Sequence, residues 1–165
     1  RPSWTINSST MTRALDMAIF GPSASTGAIL RVLGNNYTGN LDLTSSYQDV
    51  PSLSVDITLS SQSNRIAVIA NLATYHATTG AALAGKLVRT IDSTASLNYE
   101  VGDFYNPSGS GIGGNISIMY FDTPDTTSEI NYKIQAKEEA GGGLLNEDHS
   151  GTVNGVCSIM IYEIS

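Results

Sequence analysis

Residues 129 to 137 alternate strictly: Ile130, Tyr132, Ile134 and Ala136 share one parity, and Asn131, Lys133, Gln135 and Lys137 share the other. A period of two is that of a β-strand with one side in a core and the other in water. Short runs rich in Ile, Val, Tyr and Thr recur along the chain, punctuated by Gly, Ser, Asn, Asp and Pro. The pattern predicts strands over residues 41–43, 52–59, 65–74, 86–91, 96–101, 115–121, 129–137 and 156–164, with loops over 78–85, 106–114 and 138–155. Eight short strands fit an all-β fold, an antiparallel two-sheet jelly-roll sandwich.

Three of these strands are apolar on both parities. Ile66, Val68, Ala70 and Leu72 oppose Ala67, Ile69 and Ala73; Ile116, Ile118 and Tyr120 oppose Met119 and Phe121; Met160, Tyr162 and Ile164 oppose Cys157, Ile159 and Ile161. In a two-layer sandwich only one side of each sheet is internal, so the other side needs a cover. Leaving one Ile, Met or Tyr uncovered forgoes about 1.5–3 kcal/mol. Met119, Phe121, Met160 and Tyr162 are therefore assigned to a face covered by another subunit or by the N-terminal arm, and Ile130, Tyr132 and Ile134 to the sandwich core.

Residues 1–40 read differently and are expected to form an N-terminal arm or attachment segment, with the jelly roll over 41–165. Ser8, Ser9 and Thr10 precede Met11, Leu15, Ala18 and Ile19 at a spacing that suits a short hydroxyl-capped helix. Residues 28–33, bracketed by Gly27 and Gly34, suit either a helical turn or a strand. A chain opening on Arg1 is expected to be a processed or excised piece.

At 165 residues the chain suits one domain with a core of its own. Charged residues make up 14%, against roughly 25% in a typical soluble domain, so the surface is polar through hydroxyls and amides. A net charge of −7 with eight scattered basic residues excludes the footprint of a nucleic-acid binder. No stretch approaches the ~18 continuous apolar residues of a membrane helix. The single cysteine, Cys157, sits in an apolar run and reads as a small buried hydrophobe, an intermolecular disulfide being the alternative.

Catalytic signatures are missing: no H-E-x-x-H, paired C-x-x-C or G-x-S-x-G occurs. Gly109-Ser110-Gly111-Ile112-Gly113-Gly114 lacks the Lys-Ser/Thr ending of a phosphate loop and opens onto a β-run. Glu147, Asp148 and His149, joined by Glu138 and Glu139 across a Gly hinge, have no recognised ligand order and read as solvated charge; His76 has no partner at ligand spacing. Asp122 and Asp125, the nearest thing to a glycosidase pair, fall within one turn that already explains them. No enzyme, cofactor or metal is expected. Tyr75, Tyr99, Phe104 and Tyr105 offer aromatic faces near loops, which suit a saccharide, so a secreted lectin-like module or a receptor-binding tip that takes a host surface glycan is the alternative. The sequons at Asn7, Asn36 and Asn115 are what chance yields in a chain this rich in Asn, Ser and Thr.

One order of segments is more specific. Tyr120-Phe121-Asp122-Thr123-Pro124-Asp125-Thr126-Thr127-Ser128 is followed by Tyr132-Lys133-Ile134-Gln135-Ala136 and closes on Ile159-Met160-Ile161-Tyr162-Glu163-Ile164. Pro124 fixes φ and cannot donate to a ladder, and Asp122 is placed to accept from backbone amides two residues on. This order, with Val50-Pro51-Ser52-Leu53-Ser54-Val55 upstream, resembles the trimeric jelly-roll domains of tumour-necrosis-factor/C1q type in tailed-phage virion proteins. The resemblance covers the last two-thirds of the chain. It implies a homotrimer joined about its inner sheet and seated on the virion surface, in contact with capsid or other virion proteins, either as a capsid-decorating (cement) protein or as a tail-fibre head. The chain has no heptads, Gly-X-Y tract or repetitive stalk, which favours decoration over the fibre role.

Overall fold

A computed structural model describes residues 27–102, 105–107, 111–146 and 155–165. The described residues form ten strands and no helix: β1 (Ile29–Tyr37), β2 (Leu41–Asp42), β3 (Gln48–Thr58), β4 (Arg65–His76), β5 (Ala82–Ile91), β6 (Thr94–Gly102), β7 (Ile112–Asp122), β8 (Glu129–Ala140), β9 (Gly143–Leu145) and β10 (Cys157–Ile164). Every pairing is antiparallel.

One sheet is built around β4. Along one edge β7 pairs with it from end to end; along the other, β10 takes residues 65–71 and β9 takes residues 74–76, with β1 outside β10 and β2 outside β9. The second sheet runs β3-β8-β5-β6. The chain crosses between sheets after β2, β3, β4, β6, β7 and β8, so β1-β10-β4-β7 faces β3-β8-β5-β6 in the strand order of a jelly roll. The fold is all-β and two-layered, as the alternation predicts.

The inward parity of each strand makes the core. Ile66, Val68, Ala70 and Leu72 of β4 and Ile116 and Ile118 of β7 meet Leu53, Val55 and Ile57 of β3 and Ile130, Tyr132, Ile134 and Ala136 of β8. Gly85 of β5 sits hard against the opposite sheet: a Cβ there would lie 2.9 Å from Leu72 Cδ1 and 3.2 Å from Ile116 Cγ2. The space a side chain would need is already filled by the opposite sheet.

Two polar devices fix the sandwich. Arg89 of β5 donates to both oxygens of Asp122 at the end of β7, each at 2.6 Å, and the Tyr132 hydroxyl of β8 donates to Asp122 Oδ2, also at 2.6 Å. This buried fork joins the two sheets, and burial with the carboxylate bond raises the Tyr132 pKa. Asp122 is thus not the turn-capping residue its place before Pro124 predicts; its carboxylate turns inward, and the local turn bond comes from Thr126, whose Oγ1 accepts from Ser128 N at 3.0 Å. The β5–β6 hairpin closes through Asp92 and Ser93, both at positive φ (48° and 64°), the backbone of a two-residue mirror-image turn.

Other expectations need correction. The sandwich begins at Ile29, not at Leu41: the ambiguous run at 28–33 is strand β1, hydrogen-bonded along β10, so the boundary at residue 40 falls after the first strand. The rest of the expected arm, including the helix placed near Ser8 to Ile19, lies outside the described residues. Strand β9 occupies part of the loop expected over 138–155, and β5 and β7 start four and three residues earlier than their patterns predict (Ala82 against 86, Ile112 against 115) because Ala and Gly positions carry no periodicity. Among the described residues no helix is long and apolar enough to cross a membrane.

Replacing Arg89 with Met leaves the buried Asp122 carboxylate bonded to Tyr132 but without a counter-charge, and chemical denaturation is expected to show a loss of about 3–5 kcal/mol. The exchange of Asp92-Ser93 for Asn-Gly relieves two positive-φ positions and is expected to raise stability by about 0.5–1 kcal/mol in the same measurement.

Candidate functional site

The outward side of the six-stranded sheet is the unusual surface. Register places its side chains in rows across four strands. One row is Val32, Tyr162, Ala67 and Phe121; the next is Gly34, Met160, Ile69 and Met119. Phe121 is 68% exposed, Met119 63%, Ile69 40% and Met160 39%, and Ile29, Leu30 and Val32 are exposed at the β1 margin. All four residues assigned from sequence to a covered face, Met119, Phe121, Met160 and Tyr162, lie here together. In projection the two rows span four strands and about four residue steps, about 20 Å by 13 Å or roughly 260 Å².

Below these rows lies a third, made only of amides and hydroxyls: Asn36, Ser158, Asn71 and Ser117. Asn71 Nδ2 donates to Asn115 Oδ1 at 3.3 Å and Ser117 Oγ donates to Asn71 Oδ1 at 3.2 Å. Farther down, the face opens into a shallow groove floored by Ala73, Gly113 and Gly114 and walled by Val156. From Val32 to Ser117 these three rows carry no charge; Arg65 stands at the rim above them.

The outer side of the other sheet is the opposite in kind. Lys133 pairs with Asp49 at 2.9 Å, Gln135 donates to the same carboxylate at 2.7 Å, and Asn131 donates to Asp56 at 2.7 Å. Lys86 and Lys137 lie 3.9 and 4.8 Å from the centre of the Tyr47 ring. That side is solvated charge.

Buried polar groups hold β1 and β10 in place beneath the apolar face. Glu163 of β10 points inward and its carboxylate accepts from Ser60 N (2.7 Å), Ser60 Oγ (2.7 Å), Asn64 Nδ2 (2.8 Å) and Arg31 Nη2 of β1 (2.9 Å). Burial alone would raise its pKa, but these donors outweigh it and hold the carboxyl at about 2 against the ordinary 4.5. At the far end Asn146 donates to the carbonyls of Tyr37 (2.9 Å) and Gly39 (3.1 Å), and its Oδ1 accepts from the Cys157 thiol at 3.1 Å. Burial pushes that thiol up to about 11, so it stays protonated as the small buried hydrophobe its sequence context predicts.

The aromatic loop candidates do not converge. Tyr75 is buried under the chain at Gly111, whose added Cβ would fall on the Tyr75 hydroxyl. Tyr99 packs on Tyr120, ring centroids 5.1 Å apart, and Tyr120 pairs with Val68, seven residues along β4 from Tyr75 and hence about 23 Å away. Tyr105, 60% exposed, stands near Gly80 at the loop end, and Phe104 lies outside the described residues. Among the acidic candidates, Glu138 accepts from Gly142 N at 3.0 Å and so braces its own turn, while Glu147, Asp148 and His149 lie outside the described residues. No group of three or more metal-ligating side chains occurs among the described residues.

No family model matches the chain, and no curated protein does. Solved structures are similar in fold at low identity. Infectious bursal virus derived T=1 particles align at 14% identity and a TM-score of 0.49 over 88% of this chain and 40% of theirs. The VP2 subviral particle of infectious bursal disease virus aligns at 14% and 0.47 over 82% and 38%. Eiger TNF of S. frugiperda aligns at 7% and 0.34 over 81% and 93%. The chain thus spans about two-fifths of the length of the viral chains it matches. The jelly-roll assignment itself rests on strand order.

Because Glu163 holds its proton more weakly in the fold than in the unfolded chain, its contribution to stability is complete above about pH 4.5 and is lost as pH falls toward 2. Denaturation series across that window are expected to show a slope that Glu163→Gln flattens.

Proposed function

We propose that this chain is a non-enzymatic structural protein of a virus particle, a jelly-roll subunit that forms a homotrimer through the outer face of its six-stranded sheet. The observation that carries the reading is that face: two rows of exposed aliphatic, aromatic and thioether side chains on a sheet whose other side already makes the core. A monomer would leave the patch in water, where each uncovered large side chain forgoes about 1.5–3 kcal/mol. Further copies of the same chain supply the cover. Cyclic symmetry brings the β1–β10 half of one face against the β4–β7 half of the next, a closed heterologous arrangement that leaves no free patch.

The count of three and the place on a tailed-phage particle rest on the sequence resemblance of the Tyr120–Ser128 turn and the strands around it. In that setting the charged face of the β3-β8-β5-β6 sheet meets solvent at the virion surface, and the subunit decorates and stabilises the capsid by contact with other virion proteins, or heads a fibre. The separated tyrosines give no comparable support to a saccharide site.

Light scattering on the full chain at micromolar concentration is expected to give a single species of three times 17.4 kDa. Phe121→Lys combined with Met160→Lys is expected to return it to 17.4 kDa with its β-sheet circular dichroism intact. A wild-type species at the mass of one chain overturns the reading.

A further inference from the structure

We infer that the uncharged polar row formed by Asn36, Ser158, Asn71 and Ser117 determines the register and copy number with which the apolar faces meet, an inference that rests on the homotrimer proposed above. The row crosses all four strands at one level, directly below two rows that contain no polar side chain except the Tyr162 hydroxyl. Apolar side chains attract without direction, so such rows alone would tolerate sliding and several copy numbers. An amide row removes that tolerance. A slip of two residues sets Asn71 of β4 against Gly34 or Met160 of the facing copy, and its donors are then buried without acceptors.

The choice of residue types separates this row from ordinary wet surface. At solvent-facing positions of the other sheet the chain uses Lys86, Lys133, Asp49 and Asp56, whereas along this row it uses only Asn and Ser. Charges would resist burial against a second copy; amides and hydroxyls can be buried once their bonds are made. Asn71, Asn115 and Ser117 are already tied to one another, which holds the amides in fixed orientations before any copy arrives. Asn71 uses one donor and one acceptor in this cluster, so amide N–H groups of Asn71 and Asn115 can bond across the seam. One buried polar layer setting strand number and register is the role that a single Asn plays in helical coiled coils, here spread over a sheet.

Light scattering with size separation on Asn71→Leu combined with Ser117→Val tests the inference. The wild type is expected to run as one threefold species, and the variant to lose at least half of that peak to other masses while still associating. Asn36→Leu with Ser158→Val repeats the test on β1 and β10, should the first pair fail to fold. A variant that keeps a single threefold peak overturns the role of the row and leaves the trimer standing. A wild-type chain that runs at the mass of one copy overturns both.

Discussion

A β-strand has two sides, and in β4, β7 and β10 both sides are apolar. Everything distinctive in this molecule stems from that. The inward parity, Ile66 to Leu72 on β4 with Ile116, Ile118, Ile159 and Ile161, meets the second sheet and excludes water. The outward parity cannot reach that core because successive side chains point oppositely, so the same strands that hold the sandwich together also expose a second apolar layer.

Buried polar groups hold this geometry where apolar packing leaves freedom. Asp122, Arg89 and Tyr132 tie the end of β7 to β5 and β8. Glu163 tacks β10 to the β3–β4 connection and to Arg31 on β1, and Asn146 draws the β1–β2 connection toward the start of β10. Each acts at a strand end, where a ladder frays and a few directed bonds set the angle of the adjoining segment. The outer face is continuous across β1, β10, β4 and β7.

The two outer surfaces divide the work. One carries Lys, Asp and Glu in solvated pairs; the other carries Met, Phe, Ile and a row of amides. Low overall charge in this chain is therefore not spread evenly: it reflects the removal of charge from the surface where desolvation would be most costly. A chain so divided has one outer side that is apolar and one that is solvated.

Strict alternation at 129–137 and the two-sided runs at 65–74, 115–121 and 156–164 were legible in the sequence, since side-chain parity is local and needs no knowledge of partners. They are enough for the all-β class, the core at Ile130, Tyr132 and Ile134, and the grouping of Met119, Phe121, Met160 and Tyr162. Strand β1 was ambiguous over six residues, and β9, three residues long within Gly-rich chain, carried no period at all. Their strand character comes from pairing with β10 and β4, which is a property of the tertiary neighbourhood. Pairing also decided the inward turn of Asp122 toward Arg89, 33 residues away, and aligned four polar residues from four strands into one row. Composition and period determine which side chains share a side; only the register between strands distant in sequence determines which of them stand next to one another.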